Sequence, residues 1–598
     1  MKKSFSIFLT LLLCFCMVAS LPAVRALPVT EFAIPFSQEA LLSALYEADI
    51  ATLRQAIDLR LITCEELTAY YLDRISAYND PYNCFITLCD NALEVARQRD
   101  AQLARGDGEG LLFGIPVVVK DNIHYEGYYT TNGLHFETSE ISDHNAYVVE
   151  RLLEEGAVII AKSNMSEAAS SARESTSWTV GETKNAYNPY FVSGGSSGGS
   201  AVATSLNFAV AGLGTDTNAS LRTPAVLNGC VSMRATFGLI PLDGIIVLNG
   251  FRDVPGTITR TVLDQAIMMD VLTYSAYDYT KKLNADALDG LRLGIIQELL
   301  NEDHPDTDPD ILDAFYDAVA ELEACGAEVV TISFPDLIEL SDATYEENNQ
   351  ESMDALYSRF SDLLAHHELD AMLYPSYTSK PIRSGYDEDG VFWDPYEQEH
   401  LTNSFALPSC AQVPAIALPT GNHALGSGLG IEIVADKHSE QLLLDIAYSY
   451  TLQYPHRALP EGAPDAYADA HAGNLQTLIT AYLQAEAAAN ATIPPTEPTA
   501  PPTEPTIPPT EPTAPPTEPT VPPTESTSPP PTLPSPTEPE SPSPIPLELT
   551  GIDLLFLSLG GSLGIILLIL LLSWLFQGNK RGKYSAKKKN KGKYLPRR

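Results

Sequence analysis

The stretch Gly194–Pro224, GGSSGGSAVATSLNFAVAGLGTDTNASLRTP, constrains the fold of this chain more than any other. A glycine/serine run alone describes a flexible linker equally well. Here it passes directly into AVATSLNFAVAGLG, which is small, apolar and suited to burial. The combination predicts a tight loop built into a core, and loops held that way more often carry chemistry than slack. Two serines, Ser196 and Ser220, lie in its permissive or tightly turned parts.

The ends of the chain divide from its middle by composition. Met1-Lys2-Lys3, the apolar run after it and Val24-Arg25-Ala26 read as a secretory signal peptide over residues 1–26, with an uncleaved N-terminal anchor as the rival reading. From Pro494 the unit PPTEPTA recurs and then decays, so residues 491–548 are expected to be a Pro/Thr/Glu linker, a semi-rigid polyproline II stalk. Leu554–Phe576 is uncharged and long enough for a transmembrane helix. Residues 577–598 carry ten Lys/Arg and no acid, which reads as a basic cytoplasmic tail. Together these predict a single-pass cell-surface protein with an extracellular N-terminal domain.

The net charge of −41 becomes more negative still without that tail. Such an acidic domain argues against nucleic acid as a partner and for solubility. Past the signal peptide, Cys64, Cys84, Cys89, Cys230, Cys325 and Cys410 are scattered without a CxxC pair, which supports neither a metal site nor a dense disulfide framework. Cys84 and Cys89 are close enough to pair outside a cell; small buried thiols are the alternative.

Between the ends, helical and strand patterns alternate. EALLSALYEADIATLRQAIDLRLITCEELTAYYLDRISAYN and NALEVARQRDAQLARGDG have helical apolar spacing, the second with a glycine stop. GIPVVVK (114–120) and AVIIAK (157–162) are continuous apolar runs typical of buried strands. LRLGIIQE, LDAFYDAVAELEACG and AEVVTISFP continue the alternation, which implies a sheet covered by helices on both faces.

Amide hydrolysis needs an activated nucleophile, a proton shuttle and donors for the oxyanion. The eleven histidines form no recognisable nucleophile motif and no G-x-S-x-G elbow is present. A lysine can replace histidine if burial keeps it neutral. Lys120, closing the apolar run GIPVVVK before Asp121-Asn122, is placed for that; Lys162, closing AVIIAK, is its competitor, and Lys184 is expected at the surface.

GGSSGG and GTDTNASLRTP together with GIPVVVKDN resemble the amidase signature family, and the likeness extends from LITCEELTAYYLDRI to LPSCAQVPAIALPTG and GIEIV. The resemblance implies an α/β amidase-signature fold, a single large domain over residues 27–490 with a central mixed β-sheet covered by helices on both faces. It implies a Ser–cis-Ser–Lys triad: Ser220 as nucleophile and acyl carrier, Ser196 as the bridging serine, and Lys120 as general base. Backbone N–H groups over Thr217, Asn218, Ala219 and Ser220 would form the oxyanion hole, with Asp216 and Arg222 bracing the loop. The implied reaction is hydrolysis of a small linear amide, with no cofactor and no metal. Segments 125–135, 164–178 and Tyr374–Tyr377 are expected to line the acyl pocket.

The family usually has Gly-Gly before the nucleophile, where this chain has Asn218-Ala219. Asparagine tolerates positive φ, so the turn is expected to survive. The Ala219 methyl group adds bulk beside the oxyanion donors. This departure supports the alternative of a catalytically weak or inactive surface adhesin or scaffold that kept the fold. A third reading, the tRNA-dependent amidotransferase subunit of the same family, conflicts with export.

Overall fold

A computed structural model describes residues 34–491 apart from 275, 387–391, 395–397 and 399–406. Its centre is one eleven-stranded sheet, and its outer elements follow from local signals in the sequence. Helix α1 (Cys64–Tyr78) starts with a capping box in which Thr63 and Glu66 satisfy each other's backbone N–H groups. Helix α2 (Ala92–Arg105) ends on Gly106 at φ 86, the left-handed stop predicted for it.

The sheet strands are β1 (Phe85–Leu88), β2 (Pro116–Lys120), β3 (Val158–Ser163), β4 (Ala211–Asp216), β5 (Val231–Arg234) and β6 (Val254–Thr259). They continue as β7 (Arg292–Ile296), β8 (Glu328–Ile332), β9 (Ala371–Pro375), β10 (Ala415–Asn422) and β11 (Gly428–Val434). Their spatial order is β1-β3-β2-β4-β6-β5-β10-β11-β9-β7-β8. β3, β2 and β4 run parallel, as do β8, β7 and β9, while the strands between these groups pair antiparallel. The mixed sheet expected from the resemblance is therefore present. Every residue of β2, β3, β4, β6 and β11 is buried, as strands covered on both faces require.

The stretch after the glycine/serine run is more ordered than a loop. It forms helix α3 (Gly198–Ser205), followed after a short turn by β4. β2 and β4 are parallel neighbours, so their C-terminal ends, Lys120 and Asp216, emerge on the same edge of the sheet, where parallel α/β sheets usually place their sites.

All six cysteines past residue 26 are free thiols, five of them buried and Cys325 half-buried, so Cys84 and Cys89 do not pair. Residue 491 ends a helix (Leu475–Ala491). The expected signal peptide (1–26), the rest of the expected linker (492–548), the expected transmembrane helix (554–576) and the basic tail (577–598) lie outside the described residues. The cell-surface placement is corrected: among the described residues no helix is long and apolar enough to cross a membrane.

Candidate active site

The glycine/serine run is held by serine hydroxyls, one from the strand Ser175–Ser177 and one from the run itself. Ser175 Oγ donates to Gly194 O (3.0 Å) and accepts from Gly198 N (2.8 Å); Ser197 Oγ donates to Thr215 O (3.2 Å). A side chain at Gly195 would collide with the backbone carbonyl of Glu174, and one at Gly199 with the backbone of Asn164. These glycines thus serve close packing rather than flexibility. The Gly195–Ser196 peptide bond is cis, and Ser196 is fully buried.

Lys120 reaches this run from the end of β2. Its Nζ lies 2.7 Å from Ser196 Oγ and 2.9 Å from Thr215 Oγ1. Burial lowers its pKa from 10.5 to about 7, against the opposing pull of the Asp253 and Asp216 charges. Lys162 has a different environment, although it too is buried and its pKa lowered by burial. Its Nζ is 3.3 Å from Asp121 Oδ1 and donates to Tyr129 O and Thr130 Oγ1, both at 3.2 Å. Lys162 is therefore a paired charge that ties β3 to the segment after β2. Lys184 is half-buried and paired with Glu182 rather than free at the surface.

The second half of the motif is built on Asp216. Helix α4 (Arg222–Leu227) begins directly after the turn that carries Ser220. The Asp216 carboxylate accepts from Ala219 N and Leu221 N, both at 3.2 Å, and from Arg222 Nε (3.2 Å) and Arg234 Nη1 (3.0 Å). Arg222 Nη1 also donates to Glu432 Oε2 at 2.6 Å. Burial by itself would raise the Asp216 pKa, but the two guanidiniums outweigh it and hold the carboxyl well below its usual range. Asp216 and Arg222 brace the turn, as expected.

Within that turn the left-handed residue is Ala219, at φ 76, and not Asn218. The departure from Gly-Gly is thus accommodated at the alanine, held there by the Asp216 hydrogen bond. That same bond removes the Ala219 N–H from the expected oxyanion donors. Among the described residues, no protein acceptor engages the N–H of Thr217, Asn218 or Ser220. Ser197 N donates to Ser220 O at 3.2 Å, which joins the two serine-bearing segments.

A cavity of about 170 Å³ opens at Ser220, and Thr217, Asn218, Ala169, Ser170, Leu248 and Tyr345 also line it. Of the expected pocket segments, 164–178 contributes, whereas neither 125–135 nor Tyr374–Tyr377 does. Tyr374 and Tyr377 instead point their hydroxyls at Glu432 Oε2 and Gly428 O. No sequence signal marks Leu248 or Tyr345, which come from distant segments. Asp253 carries one, as the acid in the turn-rich FRDVPG: it accepts from Thr217 Oγ1 at 2.6 Å.

Away from this site, Asp308, Asp310 and His423 are grouped closely enough to surround a cation. Both ring nitrogens already have protein partners, however: Leu425 N donates to Nδ1 (3.0 Å), and Nε2 lies 3.3 Å from Asp308 Oδ2. Asp308 also caps the helix Pro309–Ala324, so the cluster reads as a structural cap.

A family model described as amidase matches residues 66–356. A glutamyl-tRNA(Gln) amidotransferase subunit from Lawsonia intracellularis is 36% identical over 293 residues, which cover 47% of this chain and 59% of that protein. This match therefore spans about three fifths of the relative's length. The corresponding glutamyl-tRNA(Gln) amidotransferase subunit of Caldanaerobacter subterraneus is 28% identical over 490 residues, covering 70% of this chain and 98% of that protein. The X-ray structure of native peptide amidase from Stenotrophomonas maltophilia superposes with a TM-score of 0.59 at 27% identity, covering 70% of this chain and 99% of that one. Relatives of this kind run against the cell-surface placement, which is withdrawn.

Proposed function

The chain is an enzyme of the amidase signature family, and we propose that it hydrolyses a small linear carboxamide through a serine acyl-enzyme. The observation that carries the reading is the buried Lys120 amine, 2.7 Å from Ser196 Oγ, with its pKa lowered to about 7. Half of such an amine is neutral near pH 7 and able to take a proton.

In the proposed reaction Ser220 Oγ attacks the amide carbon as its proton passes to Ser196 Oγ, while the Ser196 proton passes to Lys120 Nζ. The N–H groups of Thr217, Asn218 and Ser220 are the proposed donors to the oxyanion. As the tetrahedral intermediate collapses, the C–N bond breaks and Lys120 returns its proton, through Ser196, to the leaving amine. Water then attacks the ester by the same relay, releasing a carboxylic acid and restoring Ser220. Ser220 supports this role by lining the cavity while remaining 4% exposed.

The purified chain should release ammonia or amine from members of an amide panel, and Ser220→Ala should abolish release. Undiminished turnover by that variant would refute the mechanism. The amidotransferase relatives favour a second reading, in which the ammonia freed as the acyl-enzyme forms is delivered to another protein instead of to solvent. Efficient release of ammonia to solvent by the isolated chain would decide against it.

A further inference from the structure

Arg252 is a buried cation that forms no ion pair among the described residues. It is 5% exposed, its Nη1 donates to Asn218 Oδ1 at 3.3 Å, and its guanidinium lies 4.1 Å from the centre of the Tyr345 ring. Among the described residues no carboxylate approaches it within 4.0 Å, and its Nε has no acceptor. The neighbouring arginines differ: Arg222 and Arg234 are both paired with Asp216. Asp253, next in sequence, is committed elsewhere, with Oδ1 accepting from Thr217 Oγ1 (2.6 Å) and Asn249 N (3.1 Å) and Oδ2 from Leu248 N (2.6 Å). Buried charges are ordinarily paired, so an unpaired guanidinium points to an anion that arrives with a ligand.

Asn218 connects this charge to the cavity. Its Oδ1 accepts from Arg252 and from Tyr345 OH, the latter at 3.0 Å. Arginine can only donate, so this end of the carboxamide must be the oxygen. The NH₂ end has no protein acceptor among the described residues, and Asn218 is one of the residues that line the cavity. None of the cavity's lining residues is acidic, and its volume of about 170 Å³ suits a short chain. Pockets for drug-sized ligands are larger, roughly 300–1,000 Å³.

We propose that the amide substrate carries a carboxylate on a short acyl chain, received at Asn218 Nδ2 with the charge of Arg252 behind it. The proposal rests on the amidase reading of this site and deepens it. Arg252 and Asn218 act here as specificity-determining residues: a neutral acyl group leaves the guanidinium unanswered, whereas an anionic one neutralises it.

The test compares succinamate with butyramide, which ends in a methyl group where succinamate has a carboxylate. Binding of each to the full chain carrying Ser220→Ala is measured by titration calorimetry, so that turnover does not enter. Succinamate should bind roughly ten- to a hundredfold more tightly, the range of a hydrogen bond to a charged group. Arg252→Gln should close that gap. Asn218→Asp should close it too, because it removes the NH₂ donor and gives Arg252 a carboxylate of its own. Asn218→Asp should also raise Tm, and it serves as the working variant if Arg252→Gln does not fold.

Equal affinity for the two amides, affinity for neither, or a gap that survives in the folded variants overturns the proposal. Ser220-dependent hydrolysis of butyramide as fast as that of succinamate would sink the anionic subsite and leave the amidase reading standing. A chain with Ser220 intact that cleaves no amide would sink the amidase reading itself.

Discussion

The proton chemistry assigned to Lys120 fixes how the rate must respond to pH. An ordinary lysine at 10.5 is neutral about once in 3,000 molecules at pH 7, and the lowering of Lys120 to about 7 raises that fraction to about one half. With the neutral amine as the proposed base, kcat/KM should fall about tenfold per pH unit below 7 and level off above about pH 8. Asp253 supplies a negative charge that favours protonated Lys120. Asp253→Asn removes that charge, destabilises the protonated form and moves the acid limb to lower pH. The displacement should be a few tenths of a pH unit up to about one, or at most ~1.4 kcal/mol. The assay is ammonia release from a fixed amide between pH 5 and 9 for both proteins. A limb centred below about pH 5, where ordinary carboxylates titrate, or one displaced to higher pH by Asp253→Asn, would refute the assignment.

Ser196→Ala should lower kcat/KM by roughly 10²–10⁴, the usual worth of a positioned proton relay, with little change in Tm. Lys162→Met should leave the buried Asp121 charge uncompensated and cost about 3–5 kcal/mol in denaturant unfolding. The acid limb of the surviving enzyme should stay where it was, since the proposed base is Lys120. Ala219→Gly should relieve a left-handed alanine and stabilise the protein by about 0.5–1 kcal/mol, read as a higher midpoint of unfolding.

The signals readable along the chain were local ones. The Gly106 stop reappears as the end of a helix, and the apolar runs closed by Lys120 and Lys162 reappear as two buried strands. Helix α3 was less legible, because GGSAVATS lacks both the polar face of an amphipathic helix and a capping side chain. Its burial on all sides replaces those signals. The roles of Lys120 and Lys162 separate only in three dimensions: both follow an apolar run, and their partners distinguish them, Ser196 and Thr215 for Lys120 and Asp121 for Lys162. The contacts of Asn218 were illegible for the same reason. Arg252 and Tyr345 are 34 and 127 residues away, and no periodicity relates them. Asparagine was the reasonable residue for positive φ, yet the Asp216 hydrogen bond to Ala219 N places that conformation one residue later.

The central claim is that Ser220 is the nucleophile and Lys120 the base that activates it. Peptide mapping of the full chain after reaction with a fluorophosphonate tests both at once. The account predicts a single adduct on Ser220, formed at a rate that collapses in Lys120→Ala. An adduct on another serine, with Ser220→Ala still labelled and still hydrolysing amide, would contradict it.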